Sequence, residues 1–415
     1  MGGKAGAGVL SLAYLIIAAR ALGPSDYGVL VLVHGYVIAV CGIISFPVSQ
    51  AIVRYGAQAQ QDGAPRRLAM LLRFGGQVEL IGGIAAVAAA ALLAPLVGPR
   101  LGWSAAAMAL ALPYSLAALG SVRSTPAGYL QLLGRFDLLG LHTLVAPGVR
   151  LIGASVAAIM GWGLEAFLLI WLAAALCEFA ALWIMGLWFA RRYIGDDLRQ
   201  SEAGNIVADN PGIWRFLIAS NADVTLSELA GRLAPLIVGW IMGPAAAGMF
   251  AIAQRATVLI AQPAQILGTT SYAELARLVA AGHGGAPLRH ALVRVVGIAL
   301  LACVPVIAIV ALFPTPIVKL IAGPAYAAAA GLMVMLVIAR AVALVGPPCS
   351  AALSAMGRPG WSMSANLLAS LIFLPVLPPL LHSFGLAGAG IQALGQAIIA
   401  SALLMTLAWR RSMAH

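Results

Sequence analysis

The chain has 415 residues, 62% of them hydrophobic and 9% charged, with a formal net charge of +11 and a mean hydropathy of +0.99. Soluble domains carry roughly 25% charged residues, so a water-soluble globule is excluded and a polytopic membrane protein is expected. Cys41, Cys177, Cys303 and Cys349 lie in apolar segments without metal or redox spacing and read as small packing residues.

The N-terminus sets Lys4 before an apolar run, as a signal peptide does. The run leads directly into a Gly-Pro-x-x-x-Gly element, so it is read as a first span. That span is shorter than its partner in the second half, which suggests missing sequence ahead of Met1. A bilayer span needs about 20 apolar residues. Apolar runs and their charged punctuation place spans near 5–22, 28–51, 75–97, 103–122, 138–160 and 165–189. A second set falls near 214–241, 248–270, 291–313, 326–349, 361–381 and 386–408. The connection between the sets holds Asp196, Asp197, Arg199, Glu202 and Asp209 and reads as a polar linker. The expected organisation is an N-terminal bundle over 1–190, a cytoplasmic linker over 191–213 and a C-terminal bundle over 214–415.

Short elements return at a common offset. Gly23-Pro24 with Gly28 returns as Gly243-Pro244 with Gly248, Gly134-Arg135 as Gly357-Arg358, and Arg191-Arg192 as Arg410-Arg411. Matches in one order and one register indicate duplication. With six spans per repeat both halves insert in the same direction, so their pseudo-two-fold axis runs along the membrane normal. The fold class expected is all-α, with about twelve transmembrane helices in two six-helix bundles. The Gly-Pro elements read as structural, ending one helix and starting the next.

Sixteen arginines fall in loops on one side: Arg54, Arg66, Arg67, Arg73, Arg123, Arg135, Arg191, Arg192, Arg199, Arg215, Arg277, Arg289, Arg294, Arg358, Arg410 and Arg411. The other side has Arg20, Arg100 and Lys319. The positive-inside rule makes the crowded side, and both termini, cytoplasmic. The basic charge then faces anionic lipid rather than nucleic acid.

Charges within spans need a partner or a wet cavity. Asn221, Thr225, Glu228 and Arg232 share one helical stripe, with Glu228 and Arg232 as an i,i+4 pair. Arg255, Gln262 and Thr269 recur every seven residues on the next span. Arg232 and Arg255, with Arg150 and Arg340, are the candidates for an anionic headgroup, because guanidinium binds phosphate and carboxylate bidentately. Gln262 and Asn221 complete the candidate substrate set. Glu228 and Asp223 are candidates for coupling to H+ or Na+. These arginines have no counterparts at the repeat offset, although the scaffold elements do.

Ala19-Arg20-Ala21-Leu22-Gly23-Pro24, then Tyr27-Gly28 and Ile52-Val53-Arg54-Tyr55, resemble the opening of the polysaccharide-transporter branch of the multidrug/oligosaccharidyl-lipid/polysaccharide flippase superfamily. The resemblance implies a bacterial inner-membrane, multi-pass flippase. Such a protein passes an undecaprenyl-diphosphate-linked oligosaccharide from the inner to the outer leaflet by alternating access, for surface polysaccharide assembly. It also implies work alongside a polysaccharide polymerase or export machinery.

Alternatives on the same scaffold are a cation-coupled multidrug or metabolite antiporter and a peptidoglycan lipid-precursor flippase; the arginine-rich interior favours an anionic headgroup. A polyprenyl-linked glycosyltransferase or ligase needs carboxylates or a metal beside the lipid phosphate, commonly on a sizeable outer loop. Here Asp26 and Glu165 on short loops offer little of this. Lys4 precedes Ala5 and Lys319 precedes Leu320, so no Walker A sequence exists and the chain is not its own ATPase. No cofactor is expected.

Overall fold

A computed structural model describes residues 2–46, 48–195, 206–257, 277–278, 285–356 and 358–412, with side chains at 2, 4, 5, 222–224, 226–230, 359, 411 and 412 outside the description. The described residues are helical with connecting turns and contain no strand. Helices satisfy their own backbone groups, which hydrocarbon cannot do for them.

The first compact unit is Met1–Arg232. It opens with α1 (Gly2–Ile44), which is interrupted at Gly23. Gly23 has φ 70° and ψ 177°, and Pro24 starts the continuation. Then follow α2 (Ser49–Gln61), α3 (Pro65–Val97), α4 (Ala105–Tyr114), a 3-10 turn (Ser115–Ser121), α5 (Ser124–Leu132), α6 (Phe136–His142), α7 (Val145–Ile159) and α8 (Leu164–Ile194). A single turn, Ile206–Asp209, precedes α9 (Ile213–Met242). The unit boundary falls inside α9, between Arg232 and Leu233.

The second unit is Leu233–His415. It continues with α10 (Pro244–Ala256), α11 (Ala286–Leu312), α12 (Pro314–Ala322), a 3-10 turn (Pro324–Ala329) and α13 (Ala330–Val342). A further 3-10 turn (Ala343–Val345) leads to α14 (Gly346–Ala355), α15 (Pro359–Phe373), α16 (Leu377–Phe384) and α17 (Ala387–Ser412). Among the described residues eight helices are long and apolar enough to cross a membrane, and a pair bent by 45° at 374–376 makes a ninth. The break at Gly23 divides the first of these in two, and with the helices α9 and α10 the described residues are consistent with about twelve.

The duplication is visible inside each unit. Gly243, with φ 84° and ψ 175°, repeats the backbone of Gly23 and again feeds a proline at the helix start. The cores repeat as well: Leu68, Leu72 and Leu130 in the first unit correspond to Leu288, Leu292 and Leu353 in the second.

Several expected boundaries change: the third span begins at Pro65 rather than near 75, so Arg66, Arg67 and Arg73 lie on α3 instead of in a loop. The second span ends at Ile44 and a new helix begins at Ser49, so Arg54 lies on α2. The fourth extends over Ala105–Leu132, so Arg123 sits at a break within it rather than in a loop after it. Pro113, lacking an N–H, stands where α4 gives way to 3-10 geometry. Cys41, Cys303 and Cys349 are buried as expected, whereas Cys177 is exposed.

Candidate functional site

Arg150 projects from α7 into a group of rings supplied by α1, α4 and α8. Its Nη1 donates to the Tyr14 hydroxyl at 3.3 Å, and its Nη2 lies 3.4 Å from His34 Nε2. The guanidinium carbon sits 5.6 Å from the Tyr14 ring centre and 5.3 Å from that of Trp171. Those two rings meet edge to face at 5.3 Å. His34 Nδ1 is 2.9 Å from the Tyr114 hydroxyl. With Arg150 donating to Nε2, a neutral His34 carries its proton on Nδ1 and donates it to Tyr114. Arg150 Nε is buried with no hydrogen-bond partner. No carboxylate among the described residues pairs with Arg150. Ring faces stabilise this cation but do not neutralise it, so it remains attractive to an anion.

Arg232, on α9, approaches the same stripe of α1. Its Nη1 donates to Ile38 O at 3.4 Å. A methyl group at Gly42 would collide with the Arg232 guanidinium, so the glycine makes room for it. Thr225 Oγ1 lies 3.0 Å from Gly42 O and 3.3 Å from Asn221 Oδ1, which share its single proton. Asn221 is buried. His34, Ile38 and Gly42 are spaced by four residues on α1, so the anchor points of the two arginines are about 6 Å apart along the helix. The first unit thus brings Arg150, Thr225 and Arg232 to one stripe of α1, with Asn221 bonded to Thr225 behind it.

The other candidates are placed differently. Arg255 on α10 and Arg340 on α13 belong to the second unit, and both are exposed. Gln262 lies outside the described residues, as do the side chains of Asp223 and Glu228. At the repeat offset Tyr14, His34 and Arg150 correspond to Ala234, Gln254 and Ile372. The described polar interior of the second unit is uncharged: Gln392 donates to Gln396 at 2.9 Å, Gln396 to Ser370 at 3.0 Å, and Ser401 to Val342 O at 2.9 Å.

A second polar cluster surrounds the break in the fourth span. Glu79, only 1% exposed on α3, accepts from the Ser124 N–H with Oε1 and from the Thr125 N–H with Oε2 at 2.8 Å. Its carboxylate thereby caps the first turn of α5, where backbone donors have no helical partner. Trp183 Nε1 donates to Val122 O at 2.6 Å on the other side of the break. Arg123 forms an ion pair with Glu178 of α8, and His142 Nε2 of α6 lies 3.8 Å from the same carboxylate oxygen. The available signal was Ser124-Thr125-Pro126, a helix-start pattern directly after Arg123.

Comparison with known proteins gives the family and the fold. The family model described as "Polysaccharide biosynthesis protein" matches residues 17–331. Inner membrane protein YghQ of Escherichia coli K12 is 28% identical over 278 residues, covering 65% of this chain and 76% of that protein. An inward-facing multidrug resistance MATE family transporter of the MOP superfamily superposes with a TM-score of 0.78 at 18% identity, covering 98% of this chain and 95% of that one. Lipid II flippase MurJ in an inward closed conformation gives 0.73 at 13% identity, with 99% and 90% covered. A MOP superfamily transporter from Pyrococcus furiosus, described with a binding pocket of reversed polarity, gives 0.65 at 17% identity, with 99% and 93% covered. At these identities the solved structures establish the fold.

Proposed function

Because this chain belongs to the polysaccharide biosynthesis protein family and has the MOP-superfamily transporter fold, we propose that it is a flippase for an undecaprenyl-diphosphate-linked oligosaccharide. The cargo passes from the inner to the outer leaflet of a bacterial inner membrane, with both termini cytoplasmic. Residues 1–190 and 214–415 act as two bundles joined by 191–213, and rock between inward- and outward-open states.

The observation that supports this reading is the pair of arginines on one stripe of α1. Arg150 has an unpartnered Nε and no carboxylate partner among the described residues, and Arg232 reaches the stripe one turn away. Guanidinium groups suit the diphosphate, with charge-assisted, bidentate hydrogen bonds. Tyr14, His34 and Asn221 supply further hydrogen-bonding groups beside it. Arg255 and Arg340 in the second unit, with Gln262, are assigned to the glycan or to the second half of the transport path. Glu228 and Asp223 are assigned to ion coupling by H+ or Na+. A polymerase or export machinery consumes the product.

The test is depletion of the protein in its host, followed by mass spectrometry of lipid-linked oligosaccharides and of their accessibility to an added lectin. Build-up of an undecaprenyl-linked glycan on the inner leaflet supports the reading. An unchanged lipid pool, together with new sensitivity to cationic drugs, overturns it in favour of an antiporter.

A further inference from the structure

The first unit contains a cavity of about 630 Å3 between α3, α5 and α8, away from the arginine stripe on α1. This volume is within the ~300–1,000 Å3 of ligand pockets. Its walls are apolar and aromatic, with Leu72, Gly76 and Leu80 from α3, Pro126 from α5, and Phe179 and Trp183 from α8. Leu80 and Leu187 at its rim are 46% and 41% exposed, so the cavity opens sideways from the helix bundle as a groove. Exposed leucines on a membrane-spanning helix suit a face turned to hydrocarbon.

Two features make the groove more than an irregularity of the lipid-facing surface. The first is Tyr129 at its inner wall, which is 1% exposed and whose hydroxyl has no hydrogen-bond partner. A buried unpaired hydroxyl is costly, and a small side-chain shift toward the groove would let a ligand oxygen pair with it. Tyr129 also lines a smaller neighbouring cavity of about 290 Å3 beside Gln60 and the Gly63–Pro65 turn. The second is that the charged residue lining the groove, Arg73, stands at one end. Arg73 and Gln77 line the groove, Arg66 and Arg67 begin α3, and Arg191 and Arg192 lie in the last turn of α8. The opposite end is lined by Leu80, Val122, Thr125 and Phe179 and has no charged lining residue, the Arg123–Glu178 ion pair and Glu79 lying behind it.

Length identifies what fits. From Arg73 to Leu80 the groove follows α3 for about 10 Å, and from Phe179 to Ala190 it follows α8 for about 17 Å. One leaflet of a ~30 Å hydrocarbon core is about 15 Å deep. A slot one leaflet deep, apolar along its length and cationic at one end, matches a single hydrocarbon chain carrying a phosphate.

We infer that this groove binds the phosphate-proximal isoprenes of the polyprenyl chain of the lipid-linked cargo, with its phosphate at the Arg73 and Tyr129 end and the rest of the chain in the bilayer. The inference rests on the flippase reading and adds a place for the lipid, separate from the arginines assigned to the diphosphate during transfer. A bilayer phospholipid is the competing occupant.

The test uses the purified full-length protein in nanodiscs and an undecaprenyl monophosphate with a diazirine on an isoprene close to its phosphate. The comparator is phosphatidylglycerol with a diazirine in one acyl chain. Saturable polyprenyl labelling is expected on peptides spanning 72–80 and 179–190, competed by unlabelled polyprenyl phosphate and not by excess phosphatidylglycerol. Leu187→Trp, which fills the rim from an exposed position, is expected to lower this labelling about tenfold. Leu80→Trp tests the same point should that variant fold poorly. Tyr129→Phe is expected to weaken labelling while leaving the protein as heat-stable as before or more so, since it removes an unpaired buried hydroxyl.

Equal labelling and competition by phosphatidylglycerol, or labelling unchanged in both tryptophan variants, overturns the inference. Polyprenyl labelling confined to other helices overturns it too and leaves the flippase reading standing. The depletion experiment decides that reading separately.

Discussion

Replacing Arg150 with alanine separates a transport role from a structural one. In the structure the side chain makes two long hydrogen bonds, at 3.3 and 3.4 Å, and two cation–π contacts, to Tyr14 and Trp171. The ring contacts contribute about 0.5–2 kcal/mol each, and hydrogen bonds at such lengths contribute at the weak end of their range. Against this stands the cost of an arginine at membrane depth, about 2.5–3.5 kcal/mol on insertion scales. The terms nearly cancel, so Arg150→Ala is expected to shift the melting temperature of the detergent-purified protein by only a few degrees.

Binding should respond very differently. Each hydrogen bond to a charged group is worth about 1.5–3 kcal/mol, so loss of one contact to a diphosphate weakens binding by roughly tenfold to a hundredfold. The assay is polyprenyl diphosphate binding by the purified variant beside a thermal melt. Arg150→Lys keeps the charge and loses the planar fork, and should fall between wild type and alanine. Arg150→Ala with full binding affinity and a collapsed melting temperature would refute the argument, since the residue would then be a structural anchor.

Three further outcomes follow from named contacts. Gly42→Ala puts a methyl group into the space of the Arg232 guanidinium; it should reduce transport as Arg232→Ala does, and the double variant should be no worse than either, because both remove one contact. Gly23→Ala and Gly243→Ala should each destabilise by about 1–3 kcal/mol through backbone strain, although nothing lies within 4 Å of either added carbon. Gly8→Ala, also in open space but within the helix, serves as the control and should be neutral or stabilising in thermal melts. Glu79→Gln leaves one acceptor for the two backbone donors at Ser124 and Thr125 and should cost about 1–3 kcal/mol for the orphaned N–H, read as a lowered melting temperature.

Much of the fold was legible because a membrane span is written as a long charge-free run, and the repeat because backbone geometry constrains sequence. Gly23 and Gly243 adopt a conformation that side chains disfavour, so the same residue stands in both halves. The break at Val122–Arg123 was hidden for the opposite reason. Arg123 looks like punctuation ending a span, and the apolar run after it is too short to suggest continuation. What keeps it inside is the ion pair with Glu178, 55 residues away, and the Glu79 cap on the next turn.

The site divides along the same line. The stripe of Asn221, Thr225 and Arg232 could be read from helical spacing, and the structure sets Thr225 and Arg232 against α1 with Asn221 bonded to Thr225. The cluster at Arg150 could not, since its partners Tyr14 and His34 stand 136 and 116 residues away. Periodicity reports which face of a helix is polar and is silent on what that face meets.

The most direct test of the flippase claim is transfer in proteoliposomes. The purified protein would be reconstituted with an undecaprenyl-diphosphate-linked oligosaccharide confined to one leaflet, and glycan accessible to an impermeant lectin on the other would be followed over time. Protein-dependent transfer that falls with Arg150→Ala is the predicted result. Transfer no faster than in protein-free vesicles, with the same protein exchanging a cationic dye for H+ or Na+, would contradict it.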